Sequence, residues 1–151
     1  MIVCEQHWFM SFRNTGRVTD EERHRAFALV NRSTWKALKL YGLEKPVRLV
    51  FTLLALLATR TLGARDAGIV LMLQVELAGH SPDSVNVAQL WTRSDDVGEG
   101  FHFIRAVSDV RQVLDAAEAV PECGGAHDGT PIIVFPWNGG LNQRWTILPL
   151  H

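Results

Sequence analysis

The 151 residues suffice for one domain with an adequate core, and 47% hydrophobic with 21% charged residues is ordinary globular composition. A formal net charge of −1 provides no basic face for nucleic acid or an anionic membrane surface, so neither partner is expected. Two cysteines, Cys4 and Cys123, stand in unrelated contexts without metal-ligand spacing, which excludes a disulfide framework and reads as two reduced thiols in the cytosol or nucleus.

In chain order, Met1 leads directly into a charged and aromatic segment, from which no signal peptide is expected. Residues 2–10 read as β-type chain around Gln6-His7-Trp8. Residues 19–23, Thr-Asp-Glu-Glu-Arg, read as the top of a surface turn. Residues 26–34 alternate as a strand and run into a polar turn, and 35–39 continue as a short apolar piece. Residues 51–67 have no period-2 pattern and predict a helix, and 68–73 form an uninterrupted apolar run. Arg60, Arg65 and Asp66 fall in the first run, ahead of the second, and neither is long enough to span a bilayer. Residues 85–92 read as strand, Gln89-Leu90-Trp91, strand, and residues 100–109 repeat the form of 26–34. A strand from Ile132 then breaks at Asn138-Gly139-Gly140 and ends on Gln143-Arg144-Trp145.

Gln-x-Trp thus occurs three times, at Gln6/Trp8, Gln89/Trp91 and Gln143/Trp145, each time between β-type segments. Short strands separated by turn residues predict an all-β barrel, and their threefold repetition predicts a β-trefoil. In that fold the three tryptophans pack near the pseudo-threefold axis and each glutamine bonds backbone at a repeat corner. The spacing departs from symmetry: Trp91 to Trp145 is 54 residues, Trp8 to Trp91 is 83.

The chain resembles the Euonymus-lectin family of plants, a branch of the ricin-B-type β-trefoils. The matching stretches run in the family's order: Gln6-His7-Trp8, residues 26–31, Lys45-Pro46-Val47-Arg48-Leu49, Leu90-Trp91-Thr92, Asp96-Val97-Gly98-Glu99-Gly100-Phe101, His127-Asp128-Gly129-Thr130 and Asn142-Gln143-Arg144-Trp145. Two departures stand out. Family domains begin with a strand-turn-strand unit before the first Gln-x-Trp, so the first unit here reads as truncated. The family also lacks an apolar insert after Pro-Val-Arg-Leu. Removing residues 50–74 joins Leu49 to Val75 and brings the first Trp interval to 58. An intron beginning GT and ending AG, read in frame, begins with Val and can end with Gln, which fits Val50 and Gln74.

A neutral-sugar site needs a carboxylate for vicinal hydroxyls, an amide on the same edge and an aromatic ring for the C–H face of the pyranose. The resemblance implies that one repeat supplies all three, and the third Gln-x-Trp unit has them. Asp115 follows Val113-Leu114, Phe135 sits eight residues before Gln143, Trp137 follows two residues later, and Asn142 precedes Gln143. Asp115 and Asn142 are assigned to hydroxyls, Phe135 or Trp137 to stacking, and Gln143 to bracing the corner beside them. Alternation puts Phe135 and Trp137 on one face; Pro136 and the following turn give Trp137 a reason to swing out. The preceding unit has Lys39 in the place of Asp115, and Ala88 and Glu5 precede the other two glutamines, so one site is expected.

No nucleophile-and-base pattern, phosphate-cradling glycine loop, cofactor motif or metal-ligand spacing among the six histidines is visible, so the protein reads as a non-enzyme. The resemblance implies a lectin for mannose- or galactose-type glycans, nucleocytoplasmic, active in stress-related signalling, with a homo-oligomer as the route to avidity. The alternatives are a trefoil scaffold that binds protein instead of sugar, and a non-functional truncated gene product.

Overall fold

A computed structural model describes residues 7–13, 15–40, 73–127 and 129–147. Gln6, the predicted helix at 51–67 and most of the proposed insert lie outside them; Leu73 and Gln74, the end of that insert, belong to a strand.

The described residues form ten strands: β1 (Trp8–Ser11), β2 (Phe27–Asn31), β3 (Lys36–Leu40), β4 (Leu73–Gly79), β5 (Leu90–Arg93), β6 (Phe101–His102), β7 (Ile104–Ala106), β8 (Asp109–Ala116), β9 (Ile132–Pro136) and β10 (Trp145–Thr146). Eight of them pair antiparallel in the order β1-β2-β3-β4-β9-β8-β7-β5, and β2 also pairs with β5, so the sheet closes on itself. β2 achieves this by dividing one edge: Phe27 and Ala28 face Trp91 and Leu90, while Val30 faces Ala37. β6 and β10 form a separate two-stranded piece.

The architecture is an all-β trefoil, and its repetition is explicit in the register. β1–β2–β3–β4 and β5–β7–β8–β9 are equivalent units, and β10 begins the pattern again. Trp8 faces Asn31 as Trp91 faces Ala106, and Val30 faces Ala37 as Arg105 faces Val113. Lys39 faces Glu76 as Asp115 faces Ile133.

Alternation then sorts the side chains. The inward set, Phe27, Leu40, Trp91, Ile104, Ala106, Leu114 and Val134, fills the barrel, with Met10, Leu29, Leu38, Val75 and Trp145 packed against it. The outward residues of the first unit, Ala28, Val30 and Ala37, make a smaller apolar cluster under Phe9.

The turns follow from side chains that bond their own backbone. Asn31 Oδ1 accepts from the N–H groups of Ser33 (3.1 Å) and Thr34 (3.0 Å), which closes β2 onto β3. In Asp-Val-Gly-Glu-Gly-Phe, Asp96 accepts from Gly98 N (2.6 Å) and Gly100 N (3.2 Å), and Gly98 and Gly100 take φ of 116° and 78°. The glycines of that motif serve a loop that only residues without a side chain form without strain. The glutamines of Gln-x-Trp do not follow strands, as the sequence suggested. Val87–Gln89 and Leu141–Gln143 are single 3₁₀ turns, the first capped by Asn86 Oδ1 on Ala88 N at 3.1 Å.

Candidate functional site

The two described Gln-x-Trp corners share one wiring. Gln89 Nε2 donates to Gly79 O (2.8 Å), and Gln143 Nε2 donates to Pro136 O (3.1 Å). Trp91 Nε1 donates to Leu38 O and Trp145 Nε1 to Leu114 O, both at 3.0 Å. Each corner therefore ties a 3₁₀ turn to the last strand of its unit, and each tryptophan ties the next unit to the strand before. Trp8 opens β1 in the equivalent place.

The second corner carries more. Gln143, fully buried, also donates to Asp115 Oδ2 (3.0 Å) and accepts from Asn138 N at its Oε1 (3.0 Å). Asn142 Nδ2 donates to Asp115 Oδ1 (2.8 Å) and to Ala116 O (3.3 Å). Asp115 lies within β8, is 3% exposed, and holds two amides with its two oxygens. A carboxylate offers about four acceptor positions, so two remain for other donors. The turn is shaped around this cluster: a Cβ on Gly140 would lie 2.5 Å from Asn142 Oδ1 and 2.9 Å from Asn138 Oδ1. Only glycine leaves room for both amides.

Of the five candidate residues, Asp115, Asn142 and Gln143 are joined directly. Phe135 stands two residues along the same face of β9, opposite Val113 and partly buried. Trp137 stands two further on. Its N–H bonds Arg111 O (2.7 Å), so the ladder continues past Pro136. Its ring, 58% exposed, meets Phe103 edge to face at 5.9 Å. Trp137 is thus at the far end of the strand from Asp115. In the other unit, Lys39 occupies the Asp115 position and lies 3.9 Å from Glu76, and Ala88 replaces Asn142.

A second polar cluster on this outer face is not evident from the sequence. Arg105, 6% exposed, donates from Nη1 to Glu22 (2.6 Å) and from Nη2 to Asp20 (2.8 Å) and His24 Nδ1 (2.9 Å). A guanidinium only donates, so His24 Nδ1 accepts and Nε2 is the protonated nitrogen, 3.3 Å from Asp95. Asp20 Oδ1 also takes the N–H groups of Glu22 (3.0 Å) and His24 (2.9 Å), which makes residues 19–25 a closed turn. Burial alone would raise the Asp20 carboxyl. The nearby Thr92 hydroxyl, the bond from the His24 N–H and the charge of Arg105 outweigh it and hold it below the ordinary 3.8. The signal in the sequence was Arg105 itself, a charge between Ile104 and Ala106 in a strand whose alternation leaves no outward surface uncovered.

No family model matches the chain. Among curated proteins, it is 36% identical over 145 residues to the ricin B-like lectin R40G2 of Oryza sativa subsp. japonica, an overlap of 95% of this chain and 34% of that protein. It is 35% identical over 147 residues to the ricin B-like lectin R40G3 of the same plant, covering 97% of this chain and 58% of the relative. It is 32% identical over 145 residues to the ricin B-like lectin EULS3 of Arabidopsis thaliana, covering 95% and 37%. The chain spans between about a third and three fifths of the length of these relatives.

Proposed function

We propose that this chain, similar over nearly its whole length to ricin B-like lectins, is a non-enzymatic carbohydrate-binding domain of the Euonymus-lectin type with one sugar site, at Asp115 and Asn142. The observation that carries the reading is the Asp115–Asn142 pair. A carboxylate and an amide are locked together at 2.8 Å on one corner, with Phe135 one pleat away on the same face. The remaining acceptor positions of Asp115 and the Oδ1 of Asn142 take sugar hydroxyls, and Phe135 meets the C–H face. Gln143 has its donors and acceptor engaged inside the protein and acts by holding Asp115.

On this reading the glycans are of the mannose or galactose type, the location is cytoplasmic and nuclear, and the role belongs to stress responses. A single site binds weakly, so useful avidity comes from oligomers of the chain or from multivalent glycans.

A glycan array of the purified chain, with Asn142→Ala beside it, tests the reading. Signal on mannose- or galactose-terminated glycans that Asn142→Ala removes is the expected result. A blank array from a chain with intact β-type circular dichroism and cooperative melting refutes it, and favours the protein-scaffold alternative.

A further inference from the structure

Above the Asp115 corner, on the same outer face, the chain encloses a cleft of about 250 Å³ lined by Trp137, Phe103, Val113, Arg111, Arg105 and Glu22, among others. Drug-sized ligands occupy roughly 300–1,000 Å³, so this space suits one small ring. Trp137 presents a ring that is 58% exposed and held in place by its edge-to-face contact with Phe103. Arg105 lines the cleft with its guanidinium turned onto Glu22 and Asp20.

The charges select the ligand class. Arg105 is already matched by Asp20 and Glu22, and Arg111 by Asp109, whose oxygens its Nε and Nη2 meet at 2.9 and 3.1 Å. An anion entering the cleft finds no spare positive charge. A neutral polyol finds what it needs: acceptor positions on the half-exposed Glu22 carboxylate and the face of an indole for its C–H groups.

We propose that this cleft is a second saccharide subsite, which takes a neutral hexose residue of the same oligosaccharide whose other end is held at Asp115 and Asn142. The proposal rests on the reading of that corner as the primary site. Asp115 and Arg111, which flank the two places, are four residues apart on β8, about 14 Å at roughly 3.4 Å per residue. That exceeds a single pyranose ring, so the preferred ligand is an oligosaccharide. Trp137 then serves the extension of the ligand, and Phe135 the first ring.

Calorimetric titration of the full chain with methyl α-mannoside, methyl β-galactoside, mannotriose and galactotriose decides it, with Trp137→Ala and Asn142→Ala beside the wild type. Trp137 is exposed, so its replacement leaves the melting transition in place, which is checked first. Trp137→Ala is expected to weaken binding of the better trisaccharide about tenfold, a stacking contribution of ordinary size, and to leave the methyl glycoside unchanged. Asn142→Ala is expected to weaken both. Equal trisaccharide affinity in Trp137→Ala and wild type overturns the subsite and leaves the primary site standing. Parallel loss of both ligands in Trp137→Ala also overturns it, because Trp137 then belongs to the first ring's site. A wild type that binds none of the four sugars overturns the subsite together with the reading on which it rests.

Discussion

The two described units share a backbone register and differ on their outer faces in concert. In the first, Phe9, Val30, Ala37 and Trp35 make an apolar surface: Val30 and Ala37 are buried, Phe9 covers them, and Trp35 meets Phe9 edge to face at 5.8 Å. In the second, the equivalent positions are Thr92, Arg105, Val113 and Arg111. There the covering is polar: the turn at residues 19–25 brings Asp20, Glu22 and His24 onto Arg105. One pleat below, Lys39 in the first unit is Asp115 in the second, and only Asp115 gathers two amides. Backbone pairing and the inward core are thus the shared framework, and the outward residues decide which unit holds chemistry. A repeat can keep its Gln-x-Trp corner without the paired carboxylate and amide, because the corner needs only a backbone carbonyl.

The largest test of this contrast places the first unit's residue in the second. Arg105→Val leaves the buried carboxylate of Asp20 without its guanidinium, and breaking a buried pair in this way costs about 3–5 kcal/mol. Chemical denaturation is expected to show that loss, whereas a cost under about 1 kcal/mol, typical of an exposed pair, would mean that the cluster does not hold the turn. Next in size are the corners. Gln143→Ala removes two donated bonds and one accepted bond and leaves Asp115 partly unmatched, whereas Gln89→Ala removes the bond to Gly79. Gln143→Ala is expected to be the more destabilising by about 1–3 kcal/mol, the cost of an unmatched buried polar group. Equal costs in the same denaturant series would make the two corners structurally alike.

Acid sharpens the comparison further. The Asp20 carboxyl is held below its ordinary value of 3.8. Its contribution is therefore present in full above that value, declines below it, and is gone once the pH has fallen through the lower folded-state value. Melting temperature followed through this range is expected to fall less steeply in Asp20→Asn than in the wild type, and identical slopes would remove Asp20 from the account. The smallest effect concerns the insertion proposed at residues 50–74. Its removal puts Arg48 and Leu49 in the ladder positions that Leu73 and Gln74 hold against Val134 and Ile133. Strand pairing depends little on those side chains, and the shorter connection from β3 to β4 gains roughly 1 kcal/mol in closure entropy. The deleted chain is expected to melt cooperatively and slightly higher, and transcripts are expected to lack those codons. A deleted chain that fails to fold shows the segment to be integral.

The trefoil was legible because Gln-x-Trp recurs and alternating strands surround it, so residue type alone located the corners. The 3₁₀ turns that carry the glutamines were not, since three residues have no period to read. Asp115 was found as the acid that follows Val113-Leu114, but chain position could not show that it sits inside a strand and holds Gln143. Trp137 was placed on the face of Phe135 by alternation, and the continued ladder at Arg111 keeps it there. Its true neighbour, Phe103, is the link between β6 and β7. The Arg105 cluster was the least legible, because Asp20 lies 85 residues away and only the closed barrel brings them together.

On the proposed function, the second unit alone holds sugar, at Asp115 and Asn142. The most direct measurement is a titration of the ¹⁵N-labelled chain with the strongest sugar from the array, read at the side-chain amides of Asn142 and Gln89. A saturable shift of the Asn142 amide while Gln89 stays fixed is the expected result. A shift at Gln89 with Asn142 unmoved would contradict it.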